Sequence, residues 1–599
     1  MATYKEKVGT TVVNFAGNYP GAVEGQLWYD STNKDFKYQY PNVTTTGSWR
    51  TAASLNTARR TPGAAGTSTA ALAAAGYSGS TYYDNTETFN GITWTEVNDL
   101  GLARSGIGMC GATNTAVLAF GGGLPGANPS AKTENWNGTN WTEVNALQTA
   151  RRNLAEAGTN TAALAFGGTS PSSTVDITEI WNGTNWTETG DLNTARYGLA
   201  GAGTSTAALA FGGYSSTQSA VTETWNGSNW TNTNSLNTAR YGIGGTGTTN
   251  TESLAFGGQP GLGATAALTE VWNGTNWTED GDLSTGRVDL RGAGSYTSAL
   301  AFGGEGPPVT GATEQFIGSG QAVGAWSTGG SLNTARNLPQ AAGTQTAGLA
   351  FGGTPTTNVT EKYDGSSWTE VNDMNVARGQ GGGSGTQTSA LVYGGEDASN
   401  ARNLTESWNG TNWTAVNTLN TARNLGTGSA GADNTSALLF GGNPTPAATE
   451  LWNGSNWTSV NDLSTGRYNM AGSGIATAAL GYGGTSGPPV QALTEYWNGT
   501  NWTATANMNT ARSILGSAGT QNTSALAFGG EGPPARKTNT EDFNGVAWQE
   551  TNDLNTGRDG LKGAGTVTAG LAFGGNDGSN TGATEEWNIP SNTVKVLTD

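Results

Sequence analysis

A unit of about 45 residues repeated twelve times limits what this 599-residue chain can fold into. An Arg after a small residue recurs at Arg59, Arg104, Arg151, Arg196, Arg240, Arg287, Arg336, Arg378, Arg423, Arg467, Arg512 and Arg558, in steps of 42 to 49 residues. Each copy adds an apolar run closing in Gly-Gly, as in Leu-Ala-Phe-Gly-Gly at 164–168. A Glu then stands two residues before an aromatic (Glu134 and Trp136), and a Trp follows about five residues on. Of the 21 tryptophans only Trp28 lies outside this frame.

Each landmark reads as a strand. The Gly-rich stretch after the Arg suits a strand crowded around an axis, where backbones approach closely. Thr-Ala-Ala-Leu-Ala-Phe-Gly-Gly reads as a buried strand ending in a turn. Thr-Glu-x-Trp, Asn-Gly and Asn-Trp-Thr-Glu-Val read as a hairpin about a two-residue turn with both central φ positive. Helical periodicity is absent. Four antiparallel strands per unit make a propeller blade, so the fold class is all-β. The 94 glycines are about twice ordinary usage. Even so, 21 Trp, 17 Tyr and 14 Phe supply the apolar area that a disordered chain lacks.

Arg, apolar strand with Gly-Gly, aromatic, Trp and a Leu-x-x-x-Arg lead-in together resemble the Kelch repeat, over residues 49 to about 590. The first copy departs from it with Ala-Ala-Gly at 74–76, the sixth with Phe316-Ile-Gly and the last with Trp587-Asn-Ile-Pro. The resemblance implies β-propellers, usually of six or seven blades. Twelve Kelch-like blades can close as two six-bladed rings or as one twelve-bladed ring. Trp49-Arg-Thr-Ala-Ala-Ser-Leu-Asn-Thr-Ala-Arg59 matches Trp326-Ser-Thr-Gly-Gly-Ser-Leu-Asn-Thr-Ala-Arg336, six repeats on. Each then begins a ring by giving an outer strand to that ring's last blade, which favours two propellers, over 47–320 and 321–599. Alternatively the tail Thr593–Leu597 supplies the final outer strand, and a single ring stays open.

Residues 1–46 stand apart. Alternation around a polar turn predicts a hairpin carrying Trp28, Tyr29, Phe36 and Tyr38. Such a hairpin needs a partner surface, so the segment is expected to anchor the chain in an assembly. Gly25-Gln-Leu-Trp-Tyr-Asp-Ser-Thr resembles a short segment of bacteriophage fibre and tail proteins.

Composition narrows the chemistry. No histidine is present, which removes the commonest metal ligand and general base. Galactose oxidase has a similar Kelch-type propeller, but its copper site requires histidines. The single cysteine, Cys110, predicts a buried inert thiol. A net charge of −18 disfavours nucleic acid and anionic lipid as partners. No apolar run suits a membrane span or a secretory signal. No cofactor or metal is expected, and the chain is expected to be non-enzymatic.

Residues present in every copy answer a demand of every blade. The Arg and Glu are expected to form a blade-to-blade ion pair or to cap backbone carbonyls, and the Trp pairs to pack blades. Binding is expected where copies differ, in the loop between Gly-Gly and Glu, which runs from 7 to 11 residues. Candidate binding residues there are Tyr77, Tyr82, Tyr83, Leu124, Tyr214, Leu262, Asp397, Arg402, Arg536 and Lys537. The favoured reading is a phage structural protein, oligomeric in its assembly, in a tail fibre, elsewhere on the tail or on the head. It would be made in the host cytoplasm, join other virion proteins through residues 1–48, and recognise a host-surface glycan or protein. The alternative is a cellular Kelch adaptor or adhesin for a protein or glycan partner.

Overall fold

The computed structural model describes residues 13–15, 27–31, 34–41, 46–261, 263–306, 308–319, 324–397, 400–424, 428–533, 535–589 and 592–596. They contain no α-helix, and twelve four-stranded antiparallel sheets follow the repeat. We number these blades 1 to 12 and name their strands inner, second, third and outer. Blade 1 runs Gly63–Thr67, Ala70–Tyr77, Tyr82–Phe89 and Trp94–Val97 in that order across the sheet.

The chain forms two compact units, Thr44–Gln321 and Ala322–Asp599, the latter joined by Met1–Val43. We call them the first and second propellers. In the first, the inner strands of blades 1 to 6 neighbour one another in sequence, and that of blade 6 (Arg291–Ser295) lies beside that of blade 1. Blades 7 to 12 form the same cycle, with Lys562–Gly565 beside Gln340–Thr344.

Both cycles complete their last blade with a strand from their own beginning, as the Trp49 and Trp326 match predicts. Ser48–Ala52 is the outer strand of blade 6, with Trp49 opposite Phe316. Ala325–Gly329 is the outer strand of blade 12, with Trp326 opposite Trp587. The tail does not take that place: Asn592–Val596 pairs instead with Asp35–Pro41, while Leu597 lies outside the described residues. The N-terminal hairpin forms, with Trp28 opposite Lys37 and Tyr29 opposite Phe36. Val13–Phe15 lies parallel to Leu27–Asp30, so both ends of the chain share one sheet of the second unit.

Two repeated contacts bind blade to blade. Each outer-strand Trp donates its indole N–H to the Thr before the conserved Glu of the preceding blade, at 2.9–3.2 Å in all twelve copies. In eleven copies the same Trp ring meets a Phe or Tyr of that blade's second strand, centroids 4.7–5.0 Å apart. The tryptophans therefore pack blades, and their rings are committed.

The hairpin turn differs from the expected form. Trp136 pairs with Trp141, leaving four residues in the turn rather than two. Of these only Gly138 has positive φ, at +93°. The Asn137 side chain accepts the N–H groups of Thr139 and Asn140, an Asx turn that supplies what a second left-handed residue would have.

Candidate functional site

The geometry separates the repeated polar residues from the unrepeated ones. Each Arg pairs with the Glu of its own blade, at 2.5–3.2 Å and out of contact with solvent. The pair lies within a blade, not between blades, because the Arg precedes the inner strand and the Glu lies on the third strand of the same sheet. Arg151 is typical. One guanidinium nitrogen donates to the carbonyls of Gly167 and Ile177 at 3.1 and 2.6 Å, the other to Glu179. The second oxygen of Glu179 accepts the N–H of Gln148 at 2.7 Å. Burial lowers the guanidinium pKa of Arg151, and that of Arg196 to about 10, while the facing Glu opposes the shift, so both stay charged at neutral pH.

The link between blades runs through the main chain of the same Arg. Its carbonyl accepts the N–H of the last Gly in the turn that closes the preceding blade's second strand, from Gly76 of Ala75-Gly76 to Arg104 and onward through the Gly-Gly turns. Gly304 to Arg59 completes the first cycle and Gly575 to Arg336 the second.

Two residues beyond the Arg, the first propeller closes a collar. Thr61, Gly106, Asn153, Gly198, Gly242 and Asp289 each donate a backbone N–H to the next carbonyl around the ring, at 2.7–2.9 Å, and the sixth bond returns to the first. All six have φ between 49° and 61°, which favours glycine, and glycine holds three of the places.

Around this collar lies a mouth of residues that do not repeat. The residue after each Arg bridges to the residue after Gly-Gly: Arg60 to Tyr77, Arg152 to Thr169, Tyr197 to Tyr214, Tyr241 to Gln259 and Val288 to Glu305. Tyr214 lies against both Tyr197 and Tyr241, with centroids 5.4 and 5.5 Å apart. Arg60 lies 5.4 Å over the Tyr77 ring and pairs with Glu305 across the junction of blades 6 and 1, both half-buried. Burial raises the Asp289 carboxyl against the pull of Arg291 and Arg60. It also raises the Tyr197 and Tyr241 phenols, so both keep their donor proton through neutral pH.

The expected binding residues divide. Tyr77 and Tyr214 stand in this mouth. Tyr82 and Tyr83 lie on a strand rather than in a loop, because the second hairpin of blade 1 extends to pair Tyr77 with Tyr82 and Gly76 with Tyr83. Tyr82 also packs on Tyr77, centroids 4.8 Å apart. Leu124 caps a short turn through its N–H to the Asn128 carbonyl, and Leu262 lies outside the described residues. In the second propeller Asp397 and Arg402 pair with each other across a small hairpin. Arg536 pairs with Asp559 at 2.8 Å, and Lys537 donates to the Pro533 carbonyl. The expectation missed Arg60, Arg152, Tyr197, Tyr241, Asp289 and Glu305. Their signal was variation beside an invariant residue: the position after the Arg reads Arg, Ser, Arg, Tyr, Tyr, Val through the first six copies.

The mouth can stack a flat apolar face on its tyrosines and bond hydroxyl groups through phenols, guanidinium and carboxylates. Among the described residues no group of three or more His, Cys, Asp or Glu could hold a metal ion. Cys110 is buried, its thiol 3.3 Å from the Ala157 carbonyl, and burial raises its pKa.

No protein-family model matches the chain, and none of the curated proteins does. A solved structure described as that of YjhT is similar over 44% of this chain and 96% of its own, with 12% identity and a TM-score of 0.38.

Proposed function

We propose that this chain is a non-enzymatic Kelch-type propeller protein of a phage particle, whose first propeller recognises a host-surface glycan. The observation that carries this reading is the contiguous set Tyr197, Tyr214 and Tyr241 at the mouth. Their scaffold is built from repeated residues, whereas these positions are free to vary. Tyrosine and arginine dominate recognition surfaces because they join large rigid area to polar tips. Residues 1–48 anchor the chain to other virion proteins, consistent with the phage-like segment at 25–32 and with the sheet uniting both chain ends. The acidic net charge discourages sticking to the particle's own DNA.

Binding of the purified chain to polysaccharides extracted from bacterial cell surfaces, followed by calorimetry, tests the reading. Tyr214→Ala and Tyr241→Ala should each weaken binding about tenfold or more with an unchanged melting temperature, since each removes a stacking face at the mouth. Tyr82→Ser should weaken it only through Tyr77. Undiminished binding by Tyr214→Ala would contradict the assignment. Binding of a protein in place of any glycan would favour the adaptor or adhesin reading.

A further inference from the structure

The channels of the two propellers differ in the charges set around a shared basic residue. In both, the last blade begins its inner strand with a basic residue at the same register: Arg291 opposite Phe302 in blade 6, Lys562 opposite Phe573 in blade 12. The other copies carry Gly, Ala or Gln there. In the first propeller the cation has acids around it. Arg291 acts on Asp289, two residues away, and on Glu156 of blade 3, and it donates to the Leu290 carbonyl at 3.1 Å.

In the second propeller nothing plays that part. Lys562 lines a channel of about 320 Å³. Its ammonium has no hydrogen bond or ion pair with any described residue, although the chain carries 45 acids against 27 bases. The flanking inner strands, Gln340–Thr344 and Gly516–Gln521, hold no titratable side chain, nor does its own second strand, Ala569–Phe573. The wall supplies serines and backbone amides, among them Ser384 and Ser473. Burial alone moves the ammonium pKa, down to about 8, so it is still mostly charged at neutral pH. A partly desolvated cation with no counter-charge in its channel is unfavourable, and a chain that sets two carboxylates about Arg291 leaves half-buried Lys562 without one.

We propose that the channel of the second propeller is a binding site for a small oxyanion, phosphate-like or carboxylate, held by the Lys562 ammonium with hydroxyl and amide donors of the wall. The site does not depend on the mouth of the first propeller.

Inorganic phosphate is the probe, added to the full-length protein and followed by calorimetry and thermal melts against sodium chloride of matched ionic strength. The wild type should bind phosphate and melt higher in it than in chloride. Binding should weaken about tenfold or more between roughly pH 7 and 9.5, as the ammonium loses its proton. Lys562→Met should abolish the phosphate-specific rise and should itself melt higher than wild type without phosphate, because the uncompensated charge is gone. Three results would overturn the proposal: an equal phosphate response in Lys562→Met, an equal response to chloride in the wild type, or phosphate affinity independent of pH. Should Lys562→Met fail to fold, the wild-type pH series and Lys562→Gln decide by the same criteria.

Discussion

At the scale of single residues, repetition marks what holds the fold, and the residues that vary are those from which the proposed binding mouth is built. The Arg and Glu of each repeat are spent on one another, and most of the arginines on backbone carbonyls as well, so their charge is invisible from outside. Glu156 breaks its own register: most blades carry Gly, Ala or Ser at this place, and here a carboxyl lines the first channel. Burial raises its pKa from 4.5 to about 7, against the pull of Arg291. The folded state therefore binds more protons than the unfolded chain between those values. Its contribution is fully present below pH 4.5 and is lost as pH rises through about 7. Glu156→Gln, which cannot ionise, should gain on the wild type across this window, by up to about 3 kcal/mol at pH 8. Urea unfolding of both proteins at pH 5 and pH 8 measures it; a constant difference would contradict the shift. Residues of this kind were poorly legible in the sequence. A Glu inside a Gly-Ala strand is visible, but what it faces depends on ring closure. Tyr197 and Tyr241 are hidden for a related reason: they flank an invariant Arg, outside the loops in which the copies differ most in length.

At the scale of the blade, the deviations from the repeat explain one another across neighbouring sheets. The Phe of a second strand reaches over the next blade's inner strand, and a Gly there makes room. At Gly201 a Cβ would stand 2.6 Å from the Phe166 ring. Blade 1 has Ala74 in place of the Phe, and the next inner strand has Met109 in place of the Gly. Met109 packs with Ala74, and its sulfur crosses to Gly63, which pairs with Ala74. A flexible thioether from one blade thus fills the space left by a missing ring in the other. Met109→Ala should cost about 2–5 kcal/mol through the cavity it opens. Ala74→Phe alone should also destabilise, by overpacking, whereas Ala74→Phe with Met109→Gly should recover most of the loss. Additive losses in denaturant melts would show that the two sites do not share a space. The strands were legible because each has a strong local pattern. The Asn-Gly turn was misread because local turn preference favours two residues, whereas the Trp–Trp pairing fixes four.

At the scale of the whole chain, closure is a property that no single repeat carries. Only the departure of Trp49–Arg59 and Trp326–Arg336 from the common pattern pointed to it. The ends of the chain were less legible, since a five-residue strand at 592–596 has no partner nearby in sequence. Two closed cycles, each sealed by its own first strand, predict that the first propeller needs nothing from the second. The most direct measurement is thermal and urea unfolding of residues 44–321 expressed alone, beside the same fragment lacking Ser48–Ala52. We predict one cooperative transition for the fragment, and a transition lost or broadened without the closing strand. A fragment that stays unfolded unless residues 322–599 are supplied would contradict two rings and favour a single continuous one.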